Sequence, residues 1–183
     1  MPLNIPSYTT NNFSFGPGRL FMGAAGTTPT VDVGGITEDG ITVEPENTTR
    51  DIMQGNAKEI VYTFNQQHGV VVNCTGIEWD VTHLAYALGA GNTTEGAGED
   101  TLTFGGDPIT KQVAIHIQHQ MAVTGHTLDV YVWQAVSNGN VPLPFTHDEH
   151  QFAMSFKAQR VATDWAGAAL ASTATLMKVA RTK

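Results

Sequence analysis

The sequence predicts a mainly β protein with one packed α-helix, and three observations lead there. Apolar and polar residues alternate at period 2 in several separate stretches, most cleanly where Val113, Ile115, Ile117 and Met121 interleave with Gln112, His116, Gln118 and Gln120. That is the pattern of a half-buried strand. Only one stretch, near residues 76–88, carries a convincing helical period. Charged residues are just 14% of the chain while Gly, Thr and Asn are abundant, a composition suited to strands joined by long loops. At 183 residues the chain suffices for one well-filled domain and is short for two, so residues 1–183 are taken as a single domain.

From the start, residues 1–15 contain Pro2, Pro6 and runs of Thr and Asn without a core-facing pattern, and they predict an extended N-terminal arm that needs a partner to order it. Gly16-Pro17-Gly18 is a turn, and Arg19 to Met22 begins a short strand ending in Gly23-Ala24-Ala25-Gly26. These glycines make no nucleotide loop, because no third Gly has the required spacing and no amphipathic helix follows. Gly34-Gly35-Ile36 and Gly40 to Glu44 read as a turn and a strand. Residues 45–58 lack sustained periodicity and carry Glu46, Arg50, Asp51 and Lys58. A loop of that length is usually functional, and its strand-like flanks predict a long tip projecting from the body.

The next stretch organises the rest. Ile60, Tyr62 and Phe64 alternate with Val61 and Thr63, Gln66-Gln67-His68-Gly69 reads as a turn, and Val70-Val71-Val72 returns as a buried strand, giving a hairpin. Thr75 precedes Glu78 by three residues, the spacing of a capping box. The helix expected from it covers about residues 76–88, roughly 20 Å long at 1.5 Å per residue. Ile77, Val81, Leu84, Ala85 and Leu88 form its apolar stripe, and Gly89 ends it.

Gly89 to Pro108 is glycine-rich, carries Glu95, Glu99 and Asp100, and predicts a loop. The Gln112 to Met121 strand then turns at Thr124-Gly125-His126-Thr127. Leu128, Val130 and Val132 alternate with Asp129, Tyr131 and Trp133 on the return, so the pair is an antiparallel hairpin. Ser137 to Pro144 is turn-rich, Phe152, Met154, Phe156 and Ala158 mark another strand, and residues 164–183 read as a second, C-terminal arm.

Several classes of chemistry are disfavoured. Net charge is −8, from 17 acids against 9 bases, with no basic cluster to neutralise phosphates. Cys74 is the only cysteine, which excludes an internal disulfide, and its sequence neighbours point to a small buried residue rather than a reactive thiol. His147-Asp148-Glu149-His150 is the best metal candidate, with His116 and His119 as further ligands, but the latter two fall on opposite faces of their strand. No metal or cofactor is therefore assigned, and no nucleophile with a positioned base is recognisable. The N-terminus has neither the basic nor the apolar region of a signal peptide, no apolar run approaches a membrane span of about 18 residues, and the Asn-x-Ser/Thr matches are read as chance.

Two blocks carry a family likeness. Gly16-Pro17-Gly18-Arg19-Leu20-Phe21-Met22-Gly23, continuing through Gly34-Gly35-Ile36 to Gly40-Ile41-Thr42-Val43-Glu44, resembles the opening of the tail tube (major tail) proteins of long-tailed bacteriophages. Phe152-Ala153-Met154-Ser155-Phe156-Lys157-Ala158 followed by Thr163-Asp164-Trp165-Ala166-Gly167 resembles their closing block. The resemblance implies a β-sandwich or half-barrel of antiparallel strands, stacked as hexameric rings into a tube, with no enzymatic activity. It implies as partners the tape-measure, tail-terminator and tail-tip proteins, a location in the virion tail after assembly in the host cytoplasm, and DNA that transits the lumen unbound. Under it, residues 1–15 and the loop bearing Glu46, Arg50, Asp51 and Lys58 make ring-to-ring contacts. An acidic bore repels phosphates, so the lumen candidates are Glu44, Gln112, His116, Gln118, Gln120 and Asp129, with Glu46 close by. Two other classes stay open: a phage head-decoration or head–tail joining protein, and a ligand-binding β-barrel enzyme or carrier.

Overall fold

The computed structural model describes residues 16, 18–56, 58–106, 110–145 and 150–182. The fold is mainly β with one short helix, in the order β1 (Arg19–Ala24), β2 (Val31–Asp32), β3 (Ile36–Gln54), β4 (Glu59–Gly76), α1 (Val81–Leu88), β5 (Asn92–Thr94), β6 (Thr101–Thr103), β7 (Gln112–Gln120), β8 (Thr127–Ser137), β9 (Phe152–Ala158) and β10 (Met177–Thr182). The expected N-terminal arm, residues 1–15, lies outside the described residues.

All pairings are antiparallel, in the order β2-β1-β7-β8-β9-β4-β3, with β10 also on β8 and β5-β6 as a separate hairpin. The geometry turns on β8. Its first half pairs with β10, from Thr127↔Thr182 to Val132↔Met177, whereas Ala135 to Ser137 pair with β9. Between the pairs Ile115↔Val132 and Val113↔Ala135, β8 carries Trp133 and Gln134 opposite a single β7 residue. Such a bulge bends a strand and sharpens its twist. The sheet thus divides at β8, and side chains from its two parts meet in one buried cluster. Leu20, Met22, Ile115 and Val132 come from one part, Val72, Cys74, Phe152, Met154 and Phe156 from the other, and Leu84 and Ala87 from α1. Phe152 and Phe156 are fully buried, each burial contributing about 1.5–3 kcal/mol. Gly76 makes room for one of them, since a Cβ there would lie 2.7 Å from the Phe152 ring.

Four expectations are corrected. Residues 45–58 are not an irregular loop: β3 runs unbroken to Gln54, turns where Lys58 N–H donates to Gly55 O at 3.1 Å, and pairs back along β4. Both faces of this ribbon are exposed, so no core imposed a period-2 pattern on it. The run Gln66 to Gly69 is likewise no turn. It lies inside β4, where Thr48 pairs with Gln67 and Thr49 with Asn65, leaving Gln66 bulged.

The helix begins at Val81, not near residue 76, and its cap is Asp80 rather than Thr75 with Glu78. The Asp80 carboxylate accepts from the N–H groups of Thr82 at 2.7 Å and His83 at 3.4 Å. Thr75 stays in β4 opposite Ala153, and Glu78 instead accepts from Gly35 N–H at 3.1 Å. Gly34, at φ 75°, leaves the space that carboxylate occupies, because a Cβ there would sit 1.7 Å from its Oε2. Gly89 does end the helix, at φ 62°, donating to Ala85 O and Tyr86 O. Finally, the C-terminal segment is no free arm, since Met177–Thr182 form β10 on β8.

Candidate functional site

Two features stand out from the body: a polar and aromatic cluster on β7 and β8, and the β3–β4 ribbon. The cluster is built on the sheet face opposite the core. Cross-strand pairing aligns Phe21 with His116 and His116 with Tyr131, while Gln118 opposes Asp129. Asp129 is buried at 4% exposure. Its Oδ1 lies 2.9 Å from His116 Nε2 and accepts from Gln118 Nε2 at 3.3 Å, while its Oδ2 accepts from Thr127 Oγ1 at 2.6 Å. Such satisfaction is what a buried carboxylate requires. Burial, with the Asp129 charge second, pushes the Tyr131 phenol above its ordinary pKa.

Aromatic rings close over this network. His116 stacks between Phe21 at 5.7 Å and Tyr131 at 4.9 Å, and Trp165 from the C-terminal segment sits 5.1 Å from Trp133, nearly edge-on. Trp165 Nε1 donates to Trp133 O, and Trp133 Nε1 donates to Ala174 O at 2.8 Å. Each ring pair adds about 0.5–1.5 kcal/mol beyond its area, so the cluster acts as a lock holding residues 165–174 against β8. Both carboxylate oxygens of Asp129 are engaged, which makes the network one that positions chain segments.

Of the lumen candidates on this hairpin, His116, Gln118 and Asp129 therefore come together, but Asp129 offers no carboxylate surface. Gln112 and Gln120 are exposed at opposite ends of β7, with Gln112 donating to Gln159 Oε1 at 3.2 Å. Glu44 and Glu46 lie exposed where the ribbon leaves the body. On the same face as Phe21, Arg19 pairs with Asp32; burial pushes that carboxyl up, but the guanidinium and Gly34 N–H outweigh it and hold it below the usual range. Burial pushes the Cys74 thiol up to about 12, in keeping with an inert core residue. Among the described residues no group of three or more His, Cys, Asp and Glu side chains could hold a metal. His147, Asp148 and Glu149 lie outside those residues.

The ribbon carries the predicted charges Glu46, Arg50, Asp51 and Lys58, all exposed, with Asp51 accepting from Thr63 Oγ1 at 2.6 Å. Sequence reasoning missed its apolar tip. Ile52, Met53, Ile60, Val61 and Tyr62 are 51–62% exposed. Ile52 opposes Tyr62 and Met53 opposes Ile60 across a register shift that leaves Val61 bulged, and the adjacent β3 residues Ile52 and Met53 put apolar side chains on opposite faces. The signal lies in the Ile60 to Phe64 alternation, whose Ile60 and Tyr62 are exposed rather than packed on the core. Trp165 was missed as a cluster member because nothing in its neighbourhood has a period.

No protein-family model matches the chain, and no match is found among the curated proteins. Among the described residues no helix is long and apolar enough to cross a membrane.

Proposed function

We propose that this chain is a structural virion protein that polymerises as stacked hexameric rings into the tail tube of a long-tailed bacteriophage, a non-enzymatic conduit for genome DNA. The observation that carries the reading is the β3–β4 ribbon, whose tip exposes Ile52, Met53, Ile60, Val61 and Tyr62 on two faces. Contiguous exposed apolar surface of this kind marks an interaction site, and a ribbon with both faces bare fits insertion between neighbouring subunits. The low content of charge, 14% of residues, suits a surface covered by copies of itself. The family resemblance of the Gly16–Glu44 and Phe152–Gly167 blocks supplies the ring, the tube and the contacts with tape-measure, terminator and tip proteins.

Negative-stain microscopy of the purified protein tests this. Hollow tubes with six-fold end views are expected, with a bore that releases DNA at physiological salt. Protein that forms no tubes yet coats empty heads would favour the head-decoration reading, and a monomer with a small molecule in its core would favour a carrier.

A further inference from the structure

At one place in the chain an asparagine is followed directly by a glycine, Asn138-Gly139, and it falls just past the end of β8. Ser137 closes that strand opposite Phe156, and its Oγ donates to Ala87 O. The N–H of Asn138 donates to Ser155 O at 2.7 Å. Adjacent residues thus fasten the end of β8 to α1 and to β9.

Beyond that N–H nothing holds Asn138 and Gly139. Both are exposed, as is Asn140. Among the described residues the Asn138 carboxamide has no hydrogen-bond partner, and the Gly139 N–H donates to no backbone carbonyl. Gly139 has φ 118°, and nothing lies within 4 Å of where a Cβ would stand. A residue without a side chain, in open space, leaves its backbone nitrogen reachable and its dihedrals free to swing that nitrogen toward the preceding side chain. Asn140 is the contrast. Its successor is Val141, whose branched Cβ crowds the nitrogen and restricts the approach.

We infer that Asn138 is a self-modification site, at which the Gly139 nitrogen attacks Asn138 Cγ and the residue ages to isoaspartate and aspartate. The nitrogen gives up its proton and bonds to Cγ. The Cγ–Nδ2 bond then breaks, and ammonia leaves carrying a proton equivalent to the one released, so that a cyclic imide is closed. Water opens the imide. Addition at the Cγ carbonyl gives aspartate; addition at the backbone carbonyl gives isoaspartate, whose main chain runs through Cβ and Cγ. Ammonia out and water in are the only exchanges, and no atom changes oxidation state. Either product takes the formal charge from −8 to −8 − 1 = −9. Isoaspartate also lengthens the main chain by one carbon directly after the N–H that holds Ser155 O, and so loosens the end of β8.

Incubating the folded, full-length protein in water labelled with heavy oxygen tests this. Trypsin leaves Asn138 and Asn140 on one peptide, residues 112–157, and fragmentation should place the mass gain of an amide turned acid, with one heavy oxygen, at residue 138. The rate should rise about tenfold per pH unit, because the attacking species is the deprotonated amide nitrogen. Asn138→Gln, checked for folding by circular dichroism, should remove the gain. The isoaspartate form, separated by ion exchange, should exchange its residue 138 amide about tenfold faster than fresh protein, as local opening of a strand end does. No gain at residue 138, an equal gain at Asn140, or aspartate without isoaspartate would overturn the inference. So would a gain confined to the chain unfolded in urea, since the fold would then protect the site. An isoaspartate form with unchanged exchange would overturn the loosening of β8.

Discussion

The two halves of β4 can be compared within one strand. From Val70 to Gly76, alternate residues are buried, and Val72, Cys74 and Gly76 face Phe156, Met154 and Phe152 across β9. From Glu59 to His68 every residue is exposed except the half-buried Phe64, and among the described residues this half pairs with β3 alone. Both halves are rich in β-branched and aromatic residues, so propensity does not separate them. What separates them is whether a second layer covers the face. A two-stranded ribbon has little to hold it in water, so the first half needs a partner in the way the second half already has one.

The sharpest way to break this comparison is amide hydrogen exchange. In the free protomer, amides of residues 46–68 should exchange with opening free energies near zero, whereas those of Val72, Cys74 and Phe156 should approach the global stability. Assembly should raise protection in the ribbon most. Equal, strong protection of the ribbon before and after assembly would remove the need for a partner. Mutation should split the same way. Phe152→Ala should cost about 3–5 kcal/mol in denaturant unfolding, while Tyr62→Ser should stay within about 0.5 kcal/mol of wild type and still abolish assembly. A large loss of protomer stability from Tyr62→Ser would show that the tip packs within its own chain.

How far the fold could be read follows from the same contrast. The β7–β8 hairpin, β1, β9 and the stop at Gly89 were legible because one face of each element packs on the core and writes its period into the sequence. The strand structure of residues 45–58 was not, since exposure on both faces leaves no period to read, although their strand-like flanks did place a long tip there. The Thr75 and Glu78 spacing misled for another reason: the fold spends both residues on tertiary contacts, one opposite Ala153 and the other on Gly35 N–H. For the candidate site, Gln118 and Asp129 were placed correctly on one face of a hairpin. That Asp129 is buried was not legible, because Trp165, which packs on its neighbours His116 and Tyr131, arrives from a segment without regular structure.

A smaller effect probes the buried half of β4 through its glycine. Gly76→Ala would bring a Cβ to 2.7 Å from the Phe152 ring, and overpacking of this kind costs about 1–3 kcal/mol. The double variant Gly76→Ala with Phe152→Leu should recover part of that loss, since the shortened side chain vacates the space. A neutral Gly76→Ala would mean that β4 and β9 are less tightly registered here than Val72↔Phe156 and Cys74↔Met154 imply. A glycine in the ribbon tip supplies the control, because nothing lies within 4 Å of a Cβ at Gly55. Gly55→Ala should therefore cost only what its φ of 90° demands.

The smallest effect concerns where β4 ends and α1 begins. Asp80→Ala should cost about 1 kcal/mol by removing the acceptor for the Thr82 and His83 N–H groups, whereas Thr75→Ala should leave the helix cap intact. The Asp80 contribution has a defined pH sense. Burial alone would push its carboxyl up, but the Thr82 N–H, the His83 charge and the remaining hydrogen bonds outweigh it, so the folded state holds the group below its ordinary value. Folding therefore gains from the ionised form at pH values above that unfolded pKa. The gain is lost as pH falls through the lower folded value and the carboxyl becomes protonated. Urea midpoints of wild type and Asp80→Ala, measured between pH 7 and pH 2, should differ at the top of that range and converge toward its bottom, with Thr75→Ala keeping a constant offset. Convergence in Thr75→Ala instead would return the cap to Thr75 and Glu78 and start the helix inside what is now the end of β4.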